Sequence, residues 1–258
     1  MKLHFYKYQG TGNDFVIIDN RENIFDATRT DIIKKVCDRR FGIGADGFML
    51  LENTPGYDFK MVYFNADGNE STMCGNGGRC LVAFAHKMGV FQAETKFLAI
   101  DGEHLASIHN DIVHLKMIDV NDVEHNNDFA WLNTGSPHYV KFVKDILNFP
   151  VFDEGKSIRY NDRFKAQGTN VNFLEKIGEN EIFVRTYERG VEDETYSCGT
   201  GVTAAAIVAS TQGFASPVKI KTLGGNLSVA FKSKSNGGYE EVYLNGPAEL
   251  VFEGDITL

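Results

Sequence analysis

The sequence predicts an α+β protein of two pseudo-symmetric domains, each a curled, mostly antiparallel sheet around a central helix. Three observations predict it. Strand-like runs rich in β-branched and aromatic residues recur along the 258 residues, whereas helical runs are few. Two of those helical runs open alike, at "MCGNGGRC" (Met73 to Cys80) and "SCGTGVTA" (Ser197 to Ala204). The chain also aligns with itself: laying Cys74 over Cys198 sets an offset of 124 residues, close to half its length.

At that offset Glu70 meets Glu194, Tyr63 meets Tyr187, Gly89 meets Gly213, Gly44 meets Gly168 and Leu50 meets Leu174. With a one-residue slip, "GTGNDFV" from Gly10 lies over "NTGSPHYV" from Asn133. One match is weak, but matches holding one offset over most of the chain outweigh chance between Gly-rich loops. The expected domains are 1–118, completed by a C-terminal strand at about 247–258, and 119–246. Their join is expected in the polar stretch "DVNDVEHNND" (Asp119 to Asp128). Two such domains facing across a pseudo-twofold axis would each give one cysteine to a common cleft.

The elements follow in chain order. "LHFYKYQ" and "DFVIID" read as strands. "TRTDIIKKVCDRRFG" reads as a helix with Ile32, Ile33, Val36 and Cys37 on one face and Gly42 near its stop. "DFKMVYF" is a strand, then a helix starts at about Asn76 and stops near Gly89. "FLAI", "DIVHLKMI", "HYVKFV" and "EIFVRTYE" are strands, and a third helix runs from about Thr200 to near Gly213. "VKIKTL", "LSVAF" and "EVYLNG" complete the strands.

Composition narrows the function. A formal charge of −9 argues against a nucleic-acid partner, since phosphate binding wants a basic face. The opening "MKLHFYKYQG" has neither an apolar core nor a cleavage pattern, and no run is apolar for long enough to span a bilayer, so no membrane partner is expected. A cytoplasmic protein with reduced cysteines is the expectation. The spacing of Cys37, Cys74, Cys80 and Cys198 is not that of a zinc site, so no metal is expected.

The thiols at the helix mouths carry the chemistry. A helix leaves its first amides without intrahelical partners and is positive at that end. A cysteine there has a lowered pKa, and glycines beside it let a ligand reach the backbone. The amides of Gly75 and Asn76, and of Gly199 and Thr200, suit a carboxylate. With one carboxylate at both helix mouths, one sulfur as thiolate removes the α-proton while the other, as thiol, protonates the opposite face. That inverts a stereocentre with no cofactor. Cys37 and Cys80, on apolar helical stripes, read as core. His138 alone would be an ordinary histidine, and Glu188 with Arg189 an ordinary pair at a strand end.

The segments "GTGNDFV", "RRFGIGADG", "NADGNESTMCGNGGRC", "GSPHYV", "GTNVNF", "RTYERGVEDETYSCGTG" and "GPAELVFEGDI" together resemble the diaminopimelate epimerase family over nearly the whole chain. The resemblance implies the two-domain fold already read from the repeat, and cofactor-independent epimerisation of LL-2,6-diaminopimelate to the meso form in lysine and peptidoglycan-precursor synthesis. It implies Cys74 and Cys198 as acid and base, with Gly75, Asn76, Gly199 and Thr200 on the reacting carboxylate. Glu188 would hold the reacting amino group and, with His138, support the thiols. Asn13, Asn65, Asn170 and Arg189 would grip the substrate, largely at its distal end. Ser136 falls at a substrate-binding position where the family commonly has Asn; serine is shorter and has no amide donor. Phe252 stands where some members use a tyrosine for dimerisation, and a homodimer is expected. Two alternatives are a related two-thiol racemase of another amino acid and a thiol redox or ligand-binding protein. The second needs neither Glu188 nor the asparagine set.

Overall fold

The computed structural model describes residues 2–235 and 237–258. The chain forms two compact units, residues 1–115 with 247–258, and residues 116–246.

In the first unit β1 (Lys2–Gly10) and β2 (Asn13–Asp19) precede α1 (Thr30–Cys37). Next come β3 (Gly47–Glu52), β4 (Phe59–Asn65), α2 (Gly75–Lys87), β5 (Glu94–Ala99), β6 (Gly102–His109) and β7 (Ile112–Lys116). β1/β2, β3/β4, β5/β6 and β6/β7 pair antiparallel. β2/β3 and β4/β5 pair parallel, the two steps where α1 and α2 supply the crossover that parallel strands require.

The second unit repeats this order. It holds β8 (Val123–His125), β9 (Ala130–Asn133), β10 (Pro137–Phe142), α3 (Val151–Arg159), β11 (Asn170–Gly178), β12 (Glu181–Glu188) and β13 (Asp193–Thr195). Then come α4 (Gly199–Ser210), β14 (Val218–Thr222), β15 (Gly225–Lys234) and β16 (Gly238–Pro247). β10/β11 and β12/β14 are the parallel steps, spanned by α3 and α4, and the remaining neighbours are antiparallel. The last strand, β17 (Glu249–Thr257), pairs antiparallel with β1 and completes the first unit.

Each unit has two helices because its sheet is buried on both faces. In β2, Val16 and Ile18 join Ile32, Ile33 and Val36 of α1 in one apolar cluster, while Phe15 alternates to the side of α2. In the second unit Tyr139, Val171, Phe173 and Tyr187 cluster with Val151 of α3. The residues that alternate with them face α4. α4 is apolar all round, with all but Thr200 and Ser210 of its residues buried, as a helix enclosed by its own sheet should be. α2 is buried over most of its length and ends in exposed His86 and Lys87, cations suited to a helix C-terminus.

The structure departs from the sequence expectations at four points. Four helices are present among the described residues rather than three: α3 carries only Val151 and Gly155 as buried residues, so it has no apolar period to read. α1 ends at Cys37, not near Gly42, whose amide bonds back to Asp38 in the turn that follows. β3 and β11 were missed because each is buried on both faces through most of its length, which removes the alternation that marks a strand. The polar stretch expected to join the domains contains β8, paired with β9.

Candidate active site

In the first unit the candidate residues gather at the mouth of α2. Cys74 is its N-cap, with extended backbone (φ −105°, ψ 149°), and its Sγ accepts the Gly77 amide at 3.1 Å. The sulfur thus takes the place that a Ser or Asp oxygen fills in an ordinary cap. Gly75 and Asn76 open the first turn, where helix amides look outward for partners.

Beneath them lies Arg79, fully buried and absent from every ion pair found among the described residues. Its guanidinium donates to the Gly75 carbonyl (3.2 Å), Thr11 Oγ1 (3.1 Å) and Asn76 Oδ1 (3.1 Å). Burial pulls its pKa down, to about 10. By holding Asn76 Oδ1, Arg79 turns the other end of that amide to Asn13 Oδ1, at 3.5 Å. Asn13 in turn donates to Asp46 at 2.6 Å. Asn65 ends β4 opposite Gly47, with an exposed side chain. Asn13 and Asn76 are therefore joined side chain to side chain, and Cys74 lies two residues before Asn76 at the same helix mouth.

In the second unit they gather at the mouth of α4. Cys198 is again an extended N-cap (φ −115°, ψ 114°), but its sulfur takes no cap bond and lies 3.5 Å from Thr200 Oγ1. The Thr200 carbonyl accepts from Thr134 Oγ1 at 2.8 Å. Strand alternation sets His138, Asn170, Asn172, Thr186 and Glu188 on the α4 side of the sheet, opposite to Tyr139, Val171, Phe173 and Tyr187.

His138 and Asn170 are register partners on β10 and β11. Asn170 Nδ2 donates to Ser136 Oγ (2.8 Å) and its Oδ1 accepts the Arg189 amide (2.9 Å). Ser136 is thus an acceptor for Asn170. Glu188 closes β12 and accepts from Thr195 Oγ1 at 3.0 Å. The Arg189 side chain is exposed and donates to the Gln167 carbonyl at 3.0 Å. Gly168, at φ +76°, gives it room: a Cβ there would lie 2.5 Å from Arg189 Cδ.

Asn172, Arg79 and Thr134 were not singled out from the sequence. Asn172 had a signal, being two residues from Asn170 on a strand and so on the same face. His138 is wholly buried, and burial, aided by the Arg189 charge, holds its pKa at about 3, so the ring is neutral. Burial pushes the Cys37 thiol up to about 12 and raises Cys80 as well, in keeping with their places in the core. No cluster of three or more His, Cys, Asp or Glu suited to a metal occurs among the described residues. No helix among them is long and apolar enough to cross a membrane.

The family model for diaminopimelate epimerase matches residues 5–122 and 130–251, nearly the whole chain. The chain belongs to the diaminopimelate epimerase family. A diaminopimelate epimerase of Flavobacterium psychrophilum is 53% identical, over 99% of this chain and 100% of its own. A diaminopimelate epimerase of Aquifex aeolicus is 38% identical over 99% and 98%. Among solved structures, a phenazine biosynthesis protein of the PhzF family from Bacillus anthracis superposes with a TM-score of 0.78 at 13% identity, covering all of both chains. A hydroxyproline epimerase from Agrobacterium vitis gives 0.67 at 13%, covering 100% of this chain and 93% of its own. Those two likenesses concern the fold. Within the diaminopimelate epimerase family it is the sequence identity that separates this chain from the other enzymes built on it.

Proposed function

We propose that the protein is a diaminopimelate epimerase, interconverting LL- and meso-2,6-diaminopimelate without a cofactor. The observation that carries this is the repeated device at Cys74 and Cys198, a cysteine in the N-cap position of a glycine-rich helix mouth in each unit of a chain from this family. One sulfur, as thiolate, takes the α-proton and becomes a thiol. The carbanion's charge spreads into the carboxylate, where the amides of Gly75 and Asn76, and of Gly199 and Thr200, stabilise it. The other sulfur, as thiol, gives its proton to the opposite face and becomes a thiolate. Protons balance, and the enzyme ends with its two sulfurs exchanged in role.

Glu188 takes the reacting ammonium, and His138 supports the thiols from within the sheet. Asn13, Asn65, Asn170 and Arg189 hold the distal amino-acid end, where an Arg fork suits a carboxylate. Ser136 serves that end through Asn170. The enzyme acts in the cytoplasm, in lysine and peptidoglycan-precursor synthesis. A homodimer fits the exposed Val251 and Phe252 on β17.

The test is isotope flow. In D2O, with pre-equilibrated enzyme and low conversion, the first meso product from the LL-isomer should carry deuterium at the inverted carbon, while remaining substrate stays protonated. Substantial hydrogen in the first product would mean that one base serves both faces.

A further inference from the structure

The second unit holds a buried polar chain that fixes one proton. Thr186 Oγ1 donates to Asn172 Oδ1 at 2.9 Å. Asn172 Nδ2 lies 2.9 Å from the Tyr139 carbonyl, which only accepts, so the orientation of the amide is set. The second hydrogen of the same Nδ2 is directed at His138 Nδ1, 3.0 Å away. Nδ1 must therefore offer a lone pair. A neutral imidazole carries one proton, which then sits on Nε2. Nε2 is buried and has no hydrogen-bond partner among the described residues. α4 closes on this chain at Gly201, where a Cβ would lie 2.4 Å from Asn172 Oδ1 and 3.2 Å from Cys198 Cβ.

We infer that Asn172 is a positioning residue that holds His138 in the Nε2–H tautomer, so that Nε2 of His138 acts as a hydrogen-bond donor to an anion formed in the reaction, while Nδ1 accepts from Asn172. The inference rests on the proposed reaction only for the nature of that anion, a thiolate or the charged carboxylate of the reacting centre. A ring locked as donor does not compete with Glu188 for the substrate ammonium, which has only donors to give.

The experiment is nitrogen NMR of the enzyme labelled with 15N-histidine, with His138 assigned by its loss in His138→Gln. The expected wild-type spectrum shows Nε2 protonated and Nδ1 bare; a proton on Nδ1 overturns the inference whatever any variant does. Asn172→Leu keeps the bulk and removes the lock. Its ring signals should move toward the averaged values of a neutral imidazole in exchange. Its kcat should fall about ten- to a hundredfold, the weight of one hydrogen bond to a charged group, with KM changing less. A fall in kcat with the tautomer unchanged would make Asn172 merely structural, and an averaged tautomer with unchanged kcat would deny the donor any role. Failure of the two-thiol reading would appear instead in the cysteine variants and leave the wild-type ring spectrum as it is.

Discussion

Cys74 and Cys198 differ from Cys37 and Cys80 in where the chain holds them. The first two cap helices, and the others lie in apolar packing. Cys74→Ala and Cys198→Ala should each abolish epimerisation while circular dichroism stays native; near-native turnover in either would end the two-thiol account. Cys80→Ala should keep turnover and lower the urea stability by about 1–2 kcal/mol, the usual size for a small core deletion. His138 supplies a pH test. Its folded pKa, about 3, lies below its ordinary value of 6.5, so the unfolded chain binds the extra proton between these limits. Its contribution to stability is therefore present above pH 6.5 and is lost as pH falls toward 3. Asp14 is also pH-sensitive, but lower. Burial alone would raise its pKa, yet Arg39 and Lys7 hold its carboxyl well below 3.8. The urea midpoint of the wild type should thus fall between pH 6.5 and 4.5, and His138→Gln should flatten that slope. Equal slopes would mean that the ring is protonated in the fold.

At the scale of elements, what the sequence made legible was what one face of an element can display. α1 has charge on one side and Ile32, Ile33 and Val36 on the other, and it was read. The mouths of α2 and α4 were read from their glycines, in a run no core strand would carry. α3 was not, because it buries little besides Val151 and Gly155. A Cβ at Gly155 would lie 2.4 Å from Tyr187 Cβ, so the glycine marks close approach of α3 to β12. Asn172 was passed over for a similar reason: a polar residue inside a strand means little until the helix packed on it is known. Gly201→Ala tests that packing. Since the clash is with a doubly held amide, the substitution should destabilise by about 1–3 kcal/mol and reduce kcat, measured by urea unfolding and turnover. Unchanged values of both would show that α4 has slack at this point.

At the scale of the molecule, the repeat was legible because one offset of 124 residues matches residues of several kinds, from Gly44 and Gly168 to Cys74 and Cys198 and Gly89 and Gly213. The return of the chain was legible in outline, as a C-terminal strand expected at about 247–258, but not its partner, since pairing of β17 with β1 joins residues some 250 positions apart, such as Lys2 and Thr257. A chain ended after Gly246 should keep the second unit and weaken the first. Hydrogen exchange should rise in β1 and β2 above all, and the Phe5–Phe252 ring contact, at 5.8 Å between centroids, would be lost with the strand. Exchange rising evenly through all strands would mean that the units do not unfold separately.

The same strand bears on synthesis at the ribosome. The second unit is one continuous segment and can close as soon as its own residues have emerged. The first begins earlier but cannot finish until the whole of the second has been made, because its last strand follows that unit in the chain. Throughout translation of the intervening stretch, the outer edge of β1 waits open, and open edges pair with whatever strand is near. The half of the protein that is born first is thus the last to be complete, and the interval during which a nascent chain can mispair is set by the length of the unit inserted within it.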